Sequence, residues 1–199
     1  RCRPMPRYSV LLSIIMSKSV GVSRQWSGTI GKVDNCQGGV FAVLGHGTHA
    51  TPIDCRLYLP KKWIEDPDRC EKAGVPAHRV TLLRKQDLAL ELVQTARQKG
   101  IPFSRVGCCD GFYGEAPALL SKLDEMGEVF VADVYKDQMV WLENPEPRIP
   151  PRKSPHGRAP EKLEALISPM RVGLLADQEP SSSWQRVTVR ETTKGELIV

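Results

Sequence analysis

The sequence predicts an α/β fold in which helices cover parallel strands. Helical and extended apolar patterns alternate through the middle of the chain, and this order is typical of βαβ units. A glycine stops each helical pattern and separates the helix from the strand that follows. The alternating segments are a helix at 85–99, a strand at 103–109, a helix at 116–126 and a strand at 129–134.

The helix at 85–99 has the clearest pattern. Leu88, Leu92 and Ala96 fall on one stripe, and Gly100 lies just beyond the last turn. Residues spaced three and four apart share one face of an α-helix. This face is therefore predicted to pack on a sheet.

The first third of the chain predicts a β-hairpin. Residues 19–26 and 35–44 have extended patterns, and the glycine-rich segment 27–32 between them is typical of a turn. Residues 56–60 form a further short extended segment. Residues 61–76 are polar, charged and bounded by prolines, so they are predicted to be exposed surface.

An apolar run at 8–16 follows a basic N-terminal segment and imitates a short signal peptide. The run is too short to span a bilayer, and no small-residue cleavage site follows it. A buried strand is therefore the favoured interpretation, and no membrane partner is expected. The sequence begins with Arg1 rather than Met, which favours a fragment or a mis-set reading frame, with Met16 as a later start.

The composition is that of a folded protein with one core of ordinary size. The 199 residues are 41% hydrophobic and 26% charged, which excludes a disordered or fibrous chain. The net charge of +5 is compatible with a nucleic-acid partner without requiring one. Six cysteines occur without a CxxC pair, so reduced thiols in a cytoplasmic protein are expected, and a zinc site at His46 and His49 is not.

Residues 144–160 are rich in proline and basic residues, and they predict a loop or linker. Its cations include Arg152, Lys153 and Arg158, which are candidates for binding DNA phosphates. A solvated loop explains the same composition, because a run of charges alone does not define a site. Residues 184–189 then alternate as a strand.

Asp110 is the residue with the most specific chemical context. It follows the apolar segment 106–109 and precedes the glycine-containing segment 111–114. Groups at the carboxyl end of a strand face the crevice where ligands bind in open α/β sheets, and a carboxylate there is well placed to hold Mg²⁺. An Asp at a strand end is also frequently a turn or helix-capping residue.

Motifs spread along the chain point to one family. The segments that carry the likeness are 19–28 (SVGVSRQWSG), 31–37 (GKVDNCQ), 53–60 (IDCRLYLP) with Trp63, 73–76 (AGVP), 110–114 (DGFYG), 184–191 (WQRVTVRE) and 193–195 (TKG). The first two are the most specific. Together the motifs resemble the insertion-sequence DDE transposases over residues 18–199.

The resemblance implies an RNase H-like core, a mixed sheet with flanking helices in which two Asp and one Glu bind divalent metal ions. Such a pair of ions activates water and stabilises the leaving oxygen during attack on a DNA phosphodiester. Asp110 is implied to be the second acidic residue of this triad and a catalytic ligand of Mg²⁺. The implied organisation is an atypical segment at 1–17, a core at 18–138 and the start of a β-rich insertion at 139–199.

The chain departs from the family pattern at the two other acidic positions. The place of the first Asp corresponds to residues 9–17, which contain no acidic residue. The Glu of the triad is expected beyond Val199. Glu164, Glu191 and Glu196 lack the helical context that the family uses. We therefore expect an incomplete core, a fragment or remnant that does not cleave DNA by itself, because one carboxylate is a poor site for two Mg²⁺ ions.

The parent activity implied by the resemblance is cutting and joining of DNA at the ends of bacterial insertion sequences. DNA is therefore the expected partner. Arg24 and Lys32 in the predicted hairpin are candidate contacts with the DNA backbone, or else solvated surface charges. A homo-oligomer is among the expected states. Two alternatives remain, a non-catalytic DNA-binding or inhibitory protein with the same fold and a metal-dependent nuclease without a role in transposition.

Overall fold

The computed structural model describes residues 10–15, 19–28, 30–46, 49–108, 111–152, 158–185, 188–192 and 195–198. These residues form a mixture of helices and strands, which confirms the predicted α/β class. The chain divides into two compact units, Arg1–Asp133 and Val134–Val199. The proposed division into a segment at 1–17, a core at 18–138 and an insertion at 139–199 stays a prediction.

An antiparallel sheet of four strands lies in the first unit. Its strands are β1 (Val10–Ile15), β2 (Ser23–Ser27), β3 (Lys32–His46) and β4 (His49–Leu57). β3 is central and pairs with the three others. β1 and β4 both pair with residues 39–41 of β3, so they lie on opposite edges of that strand. β1 and β2 both pair with Cys36, so β2 and β4 share one edge.

The β2–β3 hairpin confirms the predicted one, with a shorter first strand. Its register places Trp26 opposite Val33. Residues 19–21 form a turn instead of the start of the strand. Gly21 has a φ of 75° there, a left-handed conformation that glycine adopts without steric cost.

The prediction that residues 61–76 are exposed surface is wrong in part. Two short helices form there, α1 (Lys61–Ile64) and α2 (Pro67–Lys72). Trp63 and Cys70 are buried, and the Cys70 thiol donates to the Trp63 carbonyl at 3.1 Å. Each helix buries a single side chain among polar ones, so no apolar stripe marks the segment.

The predicted βαβ unit is present further along the first unit. Its elements are α3 (Lys85–Gln98), β5 (Val106–Cys108), α4 (Gly111–Gly114), α5 (Pro117–Glu125) and β6 (Phe130–Ala132). β5 and β6 pair in parallel, with α4 and α5 between them in the chain. No ladder joins this pair to the antiparallel sheet within the described residues, so the single mixed sheet of an RNase H-like core stays a prediction.

Helix α3 packs on both sheets. Leu88 and Leu92 are buried with Val40 and Ala42 of β3. Ala89 packs against this cluster and also against a second cluster on the parallel pair. The second cluster consists of Val106, Cys108, Tyr113, Leu119 and Leu123. The predicted buried stripe of α3 is confirmed, and the helix joins the two sheets of the unit.

An ion pair fastens the end of α3 to the turn before β6. Arg97 Nε and Nη2 each donate to a Glu128 carboxylate oxygen at 2.7 Å. Arg97 Nη1 donates to the Phe103 carbonyl at 3.1 Å, and the guanidinium lies 3.5 Å from the centre of the Phe103 ring. The Glu128 side chain is only 5% exposed, while the Arg97 side chain is 40% exposed, so the guanidinium covers a buried carboxylate and itself stays in contact with water. It fixes the chain before each of the two parallel strands.

The second unit has short elements. They are β7 (Met139–Val140), β8 (Met170–Arg171), α6 (Val172–Gln178), β9 (Thr188–Thr192) and β10 (Gly195–Ile198). β7 pairs with β8 and β9 pairs with β10, both antiparallel. The strand predicted at 184–189 is confirmed only for residues 188–189, which belong to β9; residues 184–185 follow a 3₁₀ turn at 181–183 and are not in a strand, and residues 186–187 lie outside the described residues. No side chain is buried among residues 134–152 and 158–185.

The proline-rich segment 144–160 is irregular where the structure describes it. One bridge joins Arg148 to Glu164 through two backbone hydrogen bonds of 3.1 and 2.9 Å. The predicted loop is therefore confirmed for residues 144–152 and 158–160. None of the helices described in either unit has the length and apolar character that a bilayer crossing requires.

Replacing Leu92 with Ala tests the joining role of α3. The free energy of unfolding should fall by about 2–5 kcal/mol, because the change leaves a cavity beside β3. Urea unfolding followed by circular dichroism measures it. Leu82→Ala is the control, since Leu82 is 57% exposed, and it should change stability by less than about 0.5 kcal/mol. Equal effects of the two substitutions would contradict this packing.

Candidate active site

The two parallel strands end side by side. Cys108, the last residue of β5, pairs with Ala132, the last residue of β6. The Asp133 N–H donates to the Cys108 carbonyl at 3.0 Å, so the two chains stay together one step beyond the ladder. Asp110, the predicted metal ligand, comes shortly after Cys108 in the sequence and lies outside the described residues.

Helix α4 begins directly after Asp110 in the sequence and is anchored in the core. Its Gly111, Tyr113 and Gly114 are buried. The Phe112 ring lies edge-on to the Tyr113 ring, with centroids 5.4 Å apart and planes at 78°. Tyr113 belongs to the cluster that covers the parallel pair. The chain is therefore fixed by the core both before and after the position of Asp110.

Asp133 is a carboxylate that the sequence interpretation does not single out. It directly follows β6 and is exposed. The carboxyl edge of a parallel pair is where ligands bind in open α/β sheets. The signal that could have found Asp133 is the same as for Asp110, an acidic residue shortly after an apolar strand.

The described residues do not complete a metal site. Within the described segments, no three His, Cys, Asp or Glu side chains come together in a way that could hold a metal ion. Strand β1 lies where the resemblance expects the first Asp, and its sequence VLLSII has no acidic residue. Magnesium ions take several oxygen ligands, so the donors of these segments do not fit a two-metal centre.

Residues of the SVGV motif contact other motif residues. Gln37 Nε2 donates to the Val20 carbonyl at 2.7 Å. Trp63 Nε1 donates to the Val22 carbonyl at 2.9 Å. A Cβ atom at Gly21 would lie 3.1 Å from a backbone carbonyl of the segment after β4. These residues hold β2, β3 and α1 together, so their role in the fold is structural.

A cleft of about 520 Å³ is bounded by β4, the segment after α2, and α3. Arg56 Nε and Arg79 Nη1 each lie 3.7 Å from the same carboxylate oxygen of Glu91. Arg56 Nη1 also donates to Asp54 at 2.9 Å, and Lys99 Nζ lies 3.4 Å from the other Asp54 oxygen. Cations and carboxylates alternate along this series of ion pairs. The arginines of the cleft are therefore engaged within the protein.

One family model matches most of the chain. The model of the DDE superfamily endonucleases matches residues 16–196. The chain belongs to this family. The resemblance to DDE enzymes is thus confirmed, and endonucleases of this superfamily act on DNA and generally use divalent metal ions. Searches among curated proteins and among solved structures gave no match.

Two of the predicted DNA contacts of this DDE endonuclease chain lie on the β2–β3 hairpin. Arg24 and Lys32 are both exposed. Lys32 Nζ lies 3.2 Å from an Asp34 carboxylate oxygen, and both side chains remain largely accessible to water. An exposed pair of this kind contributes little to stability, so Lys32 can exchange Asp34 for a phosphate at small cost. Their contact with DNA stays a prediction.

The other predicted DNA contacts fall in the second unit. Arg152 is exposed. Arg158 Nη2 pairs with Glu161 at 2.7 Å, and both side chains are strongly exposed. Lys153 lies outside the described residues. The predicted DNA contacts thus divide between the two compact units.

Replacing Trp63 with Phe tests the link between α1 and the SVGV motif. The change removes the donor to the Val22 carbonyl and should lower the free energy of unfolding by about 1–3 kcal/mol. Trp141→Phe is a matched control, because Trp141 Nε1 also donates to a backbone carbonyl, that of Ile167, but its side chain is 44% exposed. Thermal unfolding compares the two. A larger loss in Trp141→Phe would contradict this link.

Acid titration tests the ion pairs around Asp54. Burial by itself raises the pKa of the Asp54 carboxyl, but the Cys55 N–H and the nearby Arg56 and Lys99 cations hold this pKa below its ordinary value. A lowered pKa contributes stability above the unfolded-state pKa of about 3.9, and this stability is lost as the pH falls through the folded-state pKa.

Asp54→Asn should therefore be less stable than the wild type by about 1 kcal/mol at pH 7. The difference in stability should shrink once the pH falls below the pKa of the carboxyl in the unfolded state. Urea unfolding at pH 7 and at pH 3 measures both values. A difference that stays constant over this interval would show that the carboxylate charge has no part in it.

Proposed function

We propose that this chain forms part of the catalytic core of an insertion-sequence transposase and binds DNA at the ends of that element. The family match over residues 16–196 carries the proposal. The motifs support the narrower assignment, because they resemble insertion-sequence enzymes and extend from 19–28 to 193–195. DNA recognition is then the contribution of this chain to the cutting and joining of DNA.

The fold proposed for the core is an RNase H-like mixed sheet. β1 pairs with β3 on one edge, and its other edge has no partner among the described strands. β5 has β6 as its only described partner. Pairing of β5 with the second edge of β1 would join the antiparallel sheet and the parallel pair into one mixed sheet. This arrangement would also bring the end of β5 beside β1.

Asp110 is proposed as a metal-binding carboxylate of this core, with Mg²⁺ as the ion. Its place after β5 in the sequence and before the buried helix α4 supports the proposal. The described segments do not supply the further ligands, so no cleavage step is assigned to the chain. The DNA contacts proposed for it are Arg24, Lys32, Arg152, Lys153 and Arg158.

A second candidate function is a non-catalytic DNA-binding or inhibitory protein with the same fold. The observation that favours it is the absence of an acidic residue from β1. A chain of this kind would occupy the element ends without cutting them. The two candidates share DNA binding and differ in whether Asp110 binds Mg²⁺ as part of a catalytic core.

DNA binding by the purified chain tests the proposal. Fluorescence anisotropy should show tighter binding to duplexes from the ends of the element that encodes it than to scrambled duplexes. Affinity should fall with salt, and Arg24→Ala should weaken binding and reduce the salt slope by about one unit. Lys122→Ala is the control, because Lys122 is an exposed lysine paired with Glu125 and is not a proposed contact. Failure to bind any duplex at low salt would refute the proposed recognition of the element ends.

Cleavage of supercoiled plasmid carrying the element ends is the second measurement. No nicking by the chain alone is expected in Mg²⁺. Nicking that requires Mg²⁺ and disappears in Asp110→Ala would overturn the assignment of no cleavage step. That result would also refute the inhibitory candidate.

A further inference from the structure

The β2–β3 hairpin carries an exposed aromatic face. This Trp26 face consists of Arg24, Trp26, Val33 and Asn35. The strand register places Arg24 opposite Asn35 and Trp26 opposite Val33. Opposed residues of an antiparallel pair lie on the same side of the sheet, as do residues two apart in one strand. All four residues are exposed, and Trp26 is 58% exposed.

The other side of the hairpin fixes the direction of this face. Ser27 and Cys36 lie on that side and are fully buried. Gln25 lies there as well, and its Nε2 donates to the Cys36 carbonyl at 2.8 Å. A slip of one residue would exchange the two sides and expose Cys36. The indole of Trp26 is therefore held on the water-facing side by the packing beneath it.

We propose that the Trp26 face binds an unpaired nucleotide of DNA, with its base stacked on the indole. The proposal rests on the function proposed above, in which DNA is the partner. An aromatic side chain stacks on any base, because every base has a π-face, and a neighbouring cation attracts the backbone. The fit is supported by the combination of one flat aromatic ring, one guanidinium and one amide on a single face.

The spacing of the face agrees with this ligand. Arg24 lies two residues from Trp26 along β2, about 6.7 Å away at the rise of a strand. Its long side chain spans the distance from a base on Trp26 to the phosphate of the same nucleotide. The Asn35 amide donates and accepts hydrogen bonds, so it complements the polar edge of a base.

Other partners fit this face less well. A specific protein interface covers about 800 Å² on each partner and has an apolar centre. Here two apolar side chains, Trp26 and Val33, stand between a cation and an amide. Bases inside an intact duplex are stacked on both faces and offer no free face to an indole. The face therefore fits a site where the DNA strands are separated.

Binding to single-stranded and to blunt duplex oligonucleotides of equal length tests the proposal by fluorescence anisotropy. Trp26→Ala should weaken binding of the single strand about tenfold or more, the loss expected for one stacked base, and change duplex binding less than about twofold. Trp26→Tyr should retain most of the affinity. Trp184→Ala is the matched control, because Trp184 is 60% exposed and lies in the second unit. It should leave both affinities within about twofold, by the same stacking rule.

The outcomes separate this proposal from the function on which it rests. Unchanged single-strand affinity in Trp26→Ala overturns the stacking role, while duplex binding by the same protein leaves the proposed function intact. A wild-type chain that binds neither DNA overturns both. Equal losses in Trp26→Ala and Trp26→Tyr overturn the stacking role. If sedimentation shows that Trp26→Ala converts a dimer into a monomer, the face is a contact between copies and the proposal is wrong.

Discussion

The fold of the first unit depends on the packing of α3 against two sheets at once. Leu88 and Leu92 bury against β3, while Ala89 also contacts the cluster of the parallel pair. Residues of β3, α3 and β5 line one small apolar cavity, so the two sheets meet beside this helix. Arg97 adds a second restraint, because it binds Glu128 and the Phe103 carbonyl together. The packing of α3 thus helps to position the end of β5, where the candidate site lies.

Elements with a local pattern could be predicted from the sequence. Each of these elements shows its apolar pattern within a short stretch of sequence. They are the buried stripe of α3, the β2–β3 hairpin and the parallel pair. The helices at 61–76 could not, because Trp63 is held by Val22, far away in the chain. No local window contains both partners of that contact. Turn chemistry explains the shortened β2, since Gly21 has a left-handed conformation in the turn at 19–21 and the strand begins only at Ser23.

The candidate site could be predicted only in part, for a related reason. A metal centre needs several ligands from distant parts of the chain, and only the residue next to a strand end has a local signal. Asp110 has that signal and lies outside the described residues, while Asp133 has it on the neighbouring strand. The cations of the hairpin could be listed from sequence. The strand pairing divides them between the two sides of the hairpin: Arg24 lies opposite Asn35 on the side of Trp26, and Lys32 lies opposite Ser27 on the other side.

Residues 134–152 and 158–185 of the second unit differ from the core of the first unit in how strongly folding limits amino-acid substitutions. None of the side chains described at 134–152 and 158–185 is buried. Exposed positions tolerate most substitutions within about 0.5 kcal/mol, whereas a truncated core leucine costs several times that. Selection for folding therefore acts weakly on this part of the chain. Over evolutionary time its sequence is free to drift except where a partner constrains it, so a position that stays fixed there reports on binding rather than on the core.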